Sequence, residues 1–143
     1  MSSVIYIKGD KSITHRIIML SSIISSDIII QNPSNCIDVL STIDVLNLCG
    51  ANIIINNNEI TNNSKIYKNP NSVLDCGNSG TTARLLIGLL FGLGISATID
   101  GDNSLRSRPM DRVLDPLESM NLKYKSLNKK LPVHLYSSKL KPA

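Results

Sequence analysis

At 143 residues the chain suffices for one domain with its own core and not for two of ordinary size. Its 42% hydrophobic against 18% charged content argues for a folded chain, and 3% aromatic residues with no Trp require an aliphatic core. The formal charge of +4 suits an anionic partner, but much of the excess lies between Lys123 and Lys141, and one Phe and four Tyr do not give the aromatic–basic interleaving of nucleic-acid binders, so no nucleic-acid partner is expected.

In chain order, the pattern predicts a strand over Val4–Lys8 ending at Gly9, a helix over Ser12–Ile24 and a strand over Asp27–Gln31 closed by Asn32-Pro33. A helix over Cys36–Leu48 stops at Gly50, and Ile53–Ile55 with Glu59–Thr61 flank an Asn-rich hairpin turn. The order then repeats. Val73–Cys76 is a strand, Gly80–Leu93 a helix, Ala97–Asp100 a strand, Pro109–Met120 a helix with Pro in its first turn, and Leu122–Ser126 and Val133–Tyr136 are paired strands. An offset of 68 residues lays Gly9 on Gly77, Thr14 on Thr82 and Arg16 on Arg84, as a duplicated unit does. The fold class is α/β: two β-α-β-α-β-β units, about 4–61 and 73–136. The first helix of each unit, with Ile17, Ile18, Met19, Leu20 and Leu85, Leu86, Ile87, Leu89, Leu90, Phe91, is apolar nearly all round and is expected to be buried on all sides between outer sheets.

Cys36, Cys49 and Cys76 form no CxxC pair, and the N-terminus reads as no signal peptide; free thiols in a reducing cytoplasm are expected. The uncharged run Leu85–Ile99 is shorter than the roughly 18 residues of a membrane span and is broken by Gly88, Gly92 and Gly94, so no membrane association is expected. No His/Cys/Asp spacing suggests a metal site, and no Ser-His-Asp set can be assembled. His15 reads as a packed or surface helix residue rather than a base, and His134 lies on a predicted strand.

Three polar clusters join strands to helices. Gly9-Asp10-Lys11-Ser12-Ile13-Thr14-His15-Arg16 places a hydroxyl, an ammonium and, one turn on, a guanidinium at a helix start, where unpaired amides and the dipole favour an anion; its plainer reading is a Ser N-cap with solvated charges. Leu74 to Arg84, with Gly77-Asn78-Ser79-Gly80-Thr81-Thr82, repeats the design with glycines that admit close backbone approach. It lacks the Gly-Lys-Ser/Thr ending of a P-loop. Gly101-Asp102-Asn103-Ser104-Leu105-Arg106-Ser107-Arg108-Pro109-Met110 sets two arginines before a helix, suited to paired hydrogen bonds with carboxylate or phosphate; the plainer reading pairs them with Asp102 and Asp111.

In this order the three segments resemble the N-terminal motifs of the EPSP synthase family, with Thr14 where that family usually has Ser. The resemblance runs through essentially all of the chain. It implies transfer of the enolpyruvyl group of phosphoenolpyruvate to the 5-hydroxyl of shikimate 3-phosphate, in the shikimate pathway, with no metal or organic cofactor. It also implies two lobes of three units each, with the reaction between them. Carried over by motif, Lys11, Ser12 and Arg16 hold shikimate 3-phosphate, and Lys11 also touches phosphoenolpyruvate as the catalytic residue. Asn78, Gly80 and Arg108 bind or shape the phosphoenolpyruvate site, where glyphosate also sits. A Ser-Ala-Gln segment is expected beyond Lys141, and a second lobe, in a complementing C-terminal chain or a continuation, is expected to supply acidic groups for proton transfer. The cell-wall enolpyruvyl transferase acting on a UDP-sugar is the alternative within the fold, but its first motif carries Lys-Asn where this chain has Lys11-Ser12 followed by Arg16. The alternative from another class is a non-catalytic module binding anions or nucleic acid.

Overall fold

The computed structural model describes residues 9–24, 26–66, 68–139 and 141; the strand expected over Val4–Lys8 lies outside them. Helix α1 (Lys11–Ser21) leads to β1 (Ile28–Gln31), α2 (Ile37–Leu48) and the strands β2 (Ile53–Asn56) and β3 (Glu59–Asn62). The turn between β2 and β3 holds Asn57 at φ 50°, left-handed backbone that Asn tolerates better than most residues. These strands form an antiparallel sheet in the order β1-β3-β2, with Ile60 opposite Ile30 on one side and Ile55 on the other.

The second half gives β4 (Leu74–Asp75), α3 (Gly80–Gly92), β5 (Ala97–Asp100), α4 (Asn103–Ser107), α5 (Asp111–Ser119), β6 (Lys123–Lys125) and β7 (Val133–Tyr136). Its sheet runs β4-β5-β7-β6, with β4 parallel to β5 and the other pairs antiparallel. Without β4, the order β5-β7-β6 repeats β1-β3-β2, which is what duplication of one unit gives.

Two details of the second half differ from the sequence reading. Pro109 does not open α5; it precedes the N-cap, Met110, whose amide donates to the Lys129 carbonyl at 2.8 Å. The residues before it form α4, capped by Asp102 accepting from the Leu105 amide at 2.7 Å. Five residues are too few for a helical period to register, so only the cap residue carried a signal.

Helices α1, α2 and α3 pack against one another, α3 also packs on α5, and the sheets reach α2 through β2 and β4 and α3 through β5. The core is aliphatic, with Ile18, Val39, Leu46, Leu86, Ile87, Leu90, Ile99, Leu114 and Val133 fully or almost fully buried, each stabilising the fold by about 1.5–3 kcal/mol. Helix α1 departs from the all-round burial expected of it. It buries Ile18 and Met19 but leaves Ile13 58%, Ile17 39% and Leu20 56% exposed. Leu20 and Ile23 line an open groove of about 660 Å³, whose other walls include Leu85, Leu89 and Leu93 of α3 and its C-cap, and Val113 and Leu117 of α5.

Among the described residues no helix is long and apolar enough to cross a membrane. The three cysteines are free. Burial pushes the Cys49 thiol up to about 11 and the Cys76 thiol up to about 12, while Cys36 is half-buried. Thiolate is the reactive form. Iodoacetamide is therefore expected to modify Cys36 in the native protein and Cys49 and Cys76 only in denaturant. Peptide mass spectrometry checks this, and prompt alkylation of native Cys76 would contradict the packing described.

Candidate anion-binding site

The parallel pair β4–β5 brings the second and third polar clusters side by side at the C-terminal ends of the strands. The Cys76 amide donates to the Asp100 carbonyl and the Asp102 amide to the Gly77 carbonyl, both at 2.9 Å. A Cβ at Gly101 would stand 2.6 Å from the Gly77 carbonyl oxygen, so the approach of the two loops requires glycine there.

Helices α1 and α3 begin in the same way. Asp10 caps α1, accepting from the Ile13 amide at 2.8 Å, and Ser79 caps α3, accepting from the Thr82 amide at 3.2 Å. The cap of α1 is thus Asp10 and not Ser12, because the helix starts at Lys11 and a capping side chain must precede it. Ser12 falls in the first turn, exposed. Each cap satisfies the third amide and leaves the first two, of Lys11 and Ser12 in α1 and of Gly80 and Thr81 in α3, without a capping side chain, an arrangement open to an anion. One turn on, each helix carries an arginine that folds back over its own start. Arg16 Nη1 donates to the Ser12 carbonyl at 3.0 Å and Arg84 Nη1 to the Gly80 carbonyl at 3.4 Å. Arg16 and Arg84 both line the groove mouth.

Lys11 reaches across to α2, where its ammonium pairs with Asp38. That hydrogen bond is the main reason the Lys11 pKa is raised above its ordinary value, with burial opposing it. Asp38 was not legible as a partner, since 27 residues separate it from Lys11 and no local pattern joins them. The Thr14 hydroxyl donates to the Asp10 carbonyl at 2.7 Å and accepts from the Ser34 amide at 3.0 Å, which ties this first grip to the loop before α2.

At the second grip, Asn78 stands between opposite charges. Its Nδ2 donates to Asp102 Oδ2 at 2.7 Å, and its Oδ1 accepts from Arg108 Nη2 at 2.6 Å. Arg108 is extended at φ −82°, ψ 138°, the conformation a following proline favours, so Pro109 ends α4 and helps turn Arg108 toward Asn78. A Cβ built on Gly80 points at both guanidinium groups, 2.7 Å from Arg84 Nη1 and 3.5 Å from Arg108 Nη1. Gly80, Asn78 and Arg108 therefore converge, joined by Arg84, which the sequence reading had not assigned. The offset that pairs it with Arg16 was the available signal. Arg84 Nη2 also donates to the Pro109 carbonyl at 3.0 Å.

The charges of the third cluster pair otherwise than in the plainer reading. Arg106 binds Asp100 through two hydrogen bonds, Nε to Oδ1 at 2.8 Å and Nη2 to Oδ2 at 2.6 Å, and does not pair with Asp102 or Asp111. The Arg106 guanidinium holds the Asp100 carboxyl below its ordinary range, and the Asn78 amide does the same for Asp102. His15 is packed, at 0% exposure, with its pKa lowered chiefly by burial. The described residues contain no group of three or more His, Cys, Asp or Glu able to hold a metal.

Comparison with known proteins gives the family of the chain. The family model for EPSP synthase (3-phosphoshikimate 1-carboxyvinyltransferase) matches residues 1–143. The 3-phosphoshikimate 1-carboxyvinyltransferase of Caldicellulosiruptor saccharolyticus is 45% identical over 141 residues, covering 95% of this chain and 33% of that protein. That of Staphylococcus saprophyticus is 44% identical over 127 residues, covering 87% and 29%. Among solved structures, EPSP synthase from Acinetobacter baumannii superposes with a TM-score of 0.90 at 32% identity over 97% of this chain and 33% of that one. The enolpyruvyl transferase NikO from Streptomyces tendae gives 0.70 at 18% identity, a likeness of fold, over 99% and 31%. The chain spans about a third of the length of these relatives.

Proposed function

The chain belongs to the EPSP synthase family, and we propose that its two grips hold the two substrates of enolpyruvyl transfer, shikimate 3-phosphate at α1 and phosphoenolpyruvate at α3. The observation that carries the reading is the pairing of two helix starts, each with available amides and a folded-back arginine, at one end of the helix layer. Two anions must be held close together, and each start offers what one anion needs.

In this reading Ser12 and Arg16 take the phosphate of shikimate 3-phosphate, and Lys11 lies between the substrates. Lys11 is paired with Asp38 in the free chain, so the incoming anions compete with that carboxylate for the ammonium. Arg108, steered by Asn78, grips phosphoenolpyruvate, and the Gly80 backbone closes on it. Charge that develops on the substrate oxygens during addition and elimination meets donors already in place, which lowers the barrier without reorganisation. The reaction is placed in the cytoplasm, where Cys36, Cys49 and Cys76 stay reduced. The acidic groups for proton transfer come from a second lobe.

Titrating the protein with inorganic phosphate, shikimate 3-phosphate and an oligonucleotide tests the reading. Shikimate 3-phosphate is expected to bind tightest, and tighter binding of the oligonucleotide would favour a nucleic-acid module instead. In the protein complete with its second lobe, Arg16→Ala is expected to cost about 1.5–3 kcal/mol of shikimate 3-phosphate affinity by removing one charge-assisted contact. Calorimetry reads this directly. Unchanged affinity in a folded variant would return Arg16 to the role of a surface charge.

A further inference from the structure

The packing of α1, α2 and α3 contains a continuous line of buried polar side chains. His15 Nδ1 lies 2.7 Å from Thr42 Oγ1, Thr42 Oγ1 lies 2.7 Å from Thr82 Oγ1, and Thr82 Oγ1 lies 2.6 Å from Ser79 Oγ. His15, Thr42 and Thr82 are 0% exposed and Ser79 1%. One member comes from each of the three helices and the fourth from the α3 cap, so contacts 27 and 40 residues apart in sequence meet in one row.

Such a row is an expensive way to fill space. Burying a polar group costs about 1–3 kcal/mol unless a hydrogen bond replaces water, and His15 Nε2 is buried with no partner. Apolar side chains of similar volume would avoid that cost. The row's position suggests what it does instead. Thr42 Oγ1 is 3.1 Å from the carbonyl oxygen of Asp38, whose carboxylate holds Lys11. At the other end Ser79 caps α3 beside Gly80. The line thus runs from the counter-ion of the first grip to the cap of the second. With Nδ1 carrying the proton, His15 donates to Thr42, and the single Thr42 hydroxyl proton is shared in time between the Asp38 carbonyl and Thr82 Oγ1. The unpartnered Nε2 is then a bare lone pair, which costs less than an orphaned N–H.

We propose that His15 is a positioning residue which, through Thr42 and Thr82, sets the α3 cap against the Lys11–Asp38 pair and so fixes the separation of the two bound anions. The proposal rests on the two-grip reading. It differs in its consequence from plain core packing, because it ties the second ligand's affinity to a buried hydroxyl that touches neither ligand.

The test uses Thr42→Val, which keeps the shape and removes the hydroxyl, with Thr42→Ser and His15→Asn as variants that retain a hydrogen-bonding group, in the protein as the cell makes it. In Thr42→Val, shikimate 3-phosphate affinity is expected to stay within about threefold, while phosphoenolpyruvate binding to the shikimate 3-phosphate complex falls about tenfold. Thr42→Ser is expected to restore it, and His15→Asn to restore part. A readout without ligand separates this proposal from the two-grip reading. Amide resonances of Ser79 and Gly80 are expected to move in Thr42→Val while those of Val133 and Leu135 in the β7 strand stay in place. Wild-type protein that binds neither substrate would end the two-grip reading, and the amide shifts would still judge the positioning role. Unmoved Ser79 and Gly80 amides would overturn it. So would equal loss of both affinities along with thermal stability, unrecovered by Thr42→Ser, since that is the behaviour of mere core filler.

Discussion

Gly80→Ala is expected to weaken phosphoenolpyruvate binding by tenfold or more, about 1.4 kcal/mol at least, while leaving the protein folded. Two features set the expectation. The added methyl would stand 2.7 Å from Arg84 Nη1 and 3.5 Å from Arg108 Nη1, so it displaces the guanidinium groups the second grip depends on and fills space next to the α3 amides. The atoms it displaces are the far ends of flexible side chains, so the backbone need not move. Position 80 opens a helix and has no positive φ, where alanine is tolerated and can even stabilise by about 0.4–1 kcal/mol through the unfolded state. Site damage and fold damage are therefore expected to separate. Phosphoenolpyruvate and glyphosate should both bind less well, shikimate 3-phosphate should change little because its contacts come from α1, and the thermal midpoint should hold. Calorimetry with all three ligands and a melting curve decide it. Equal weakening of the three ligands with a lowered midpoint would mean that Gly80 serves the fold rather than the ligand.

This separation depends on which features were local in sequence. The strand–helix order, the hairpin at Asn57 and the helix start at Gly80 follow from periodicity and punctuation within windows of about a dozen residues, and they were legible, while the first helix starts one residue before the expected Ser12. The membership of Asn78, Gly80 and Arg108 in one cluster was legible only by resemblance, and the backbone bonds between the loops at Gly77 and Asp102 supply its physical cause. Other features were not local. Asp38 meets Lys11 because α2 packs on α1, and Thr42 meets His15 for the same reason; packing of two helices is not written in either helix alone. The short helix α4 was hidden by its length. The exposure of Ile17 and Leu20 was misread because an apolar surface announces that something should cover it and not what does.

The 143 residues by themselves are expected to bind shikimate 3-phosphate at millimolar strength, on the order of −4 kcal/mol, and to perform no transfer. Lys11, Ser12 and Arg16 are each expected to contribute about 1–3 kcal/mol before the entropy of association is subtracted. Turnover needs, in addition, an acid or base within reach of the proton and a cleft closed to water. Five carboxylates beside the grips are already engaged: Asp10 caps α1, Asp38 holds Lys11, Asp75 accepts from the Gly77 amide, Asp100 binds Arg106, and Asp102 binds Asn78. Releasing any of them for proton transfer would loosen the loop it fixes. The groove between α1, α3 and α5, lined by Leu20, Ile23, Leu85, Leu89, Val113 and Leu117, is the second obstacle. An open apolar surface of this kind favours self-association until a partner covers it. Phosphate release from phosphoenolpyruvate and shikimate 3-phosphate should therefore be absent from the purified chain and appear when a C-terminal partner is co-expressed, with sedimentation showing the self-associated material converted to a defined complex. Steady turnover by the chain alone, abolished by Lys11→Met, would instead show that these 143 residues contain a complete active site.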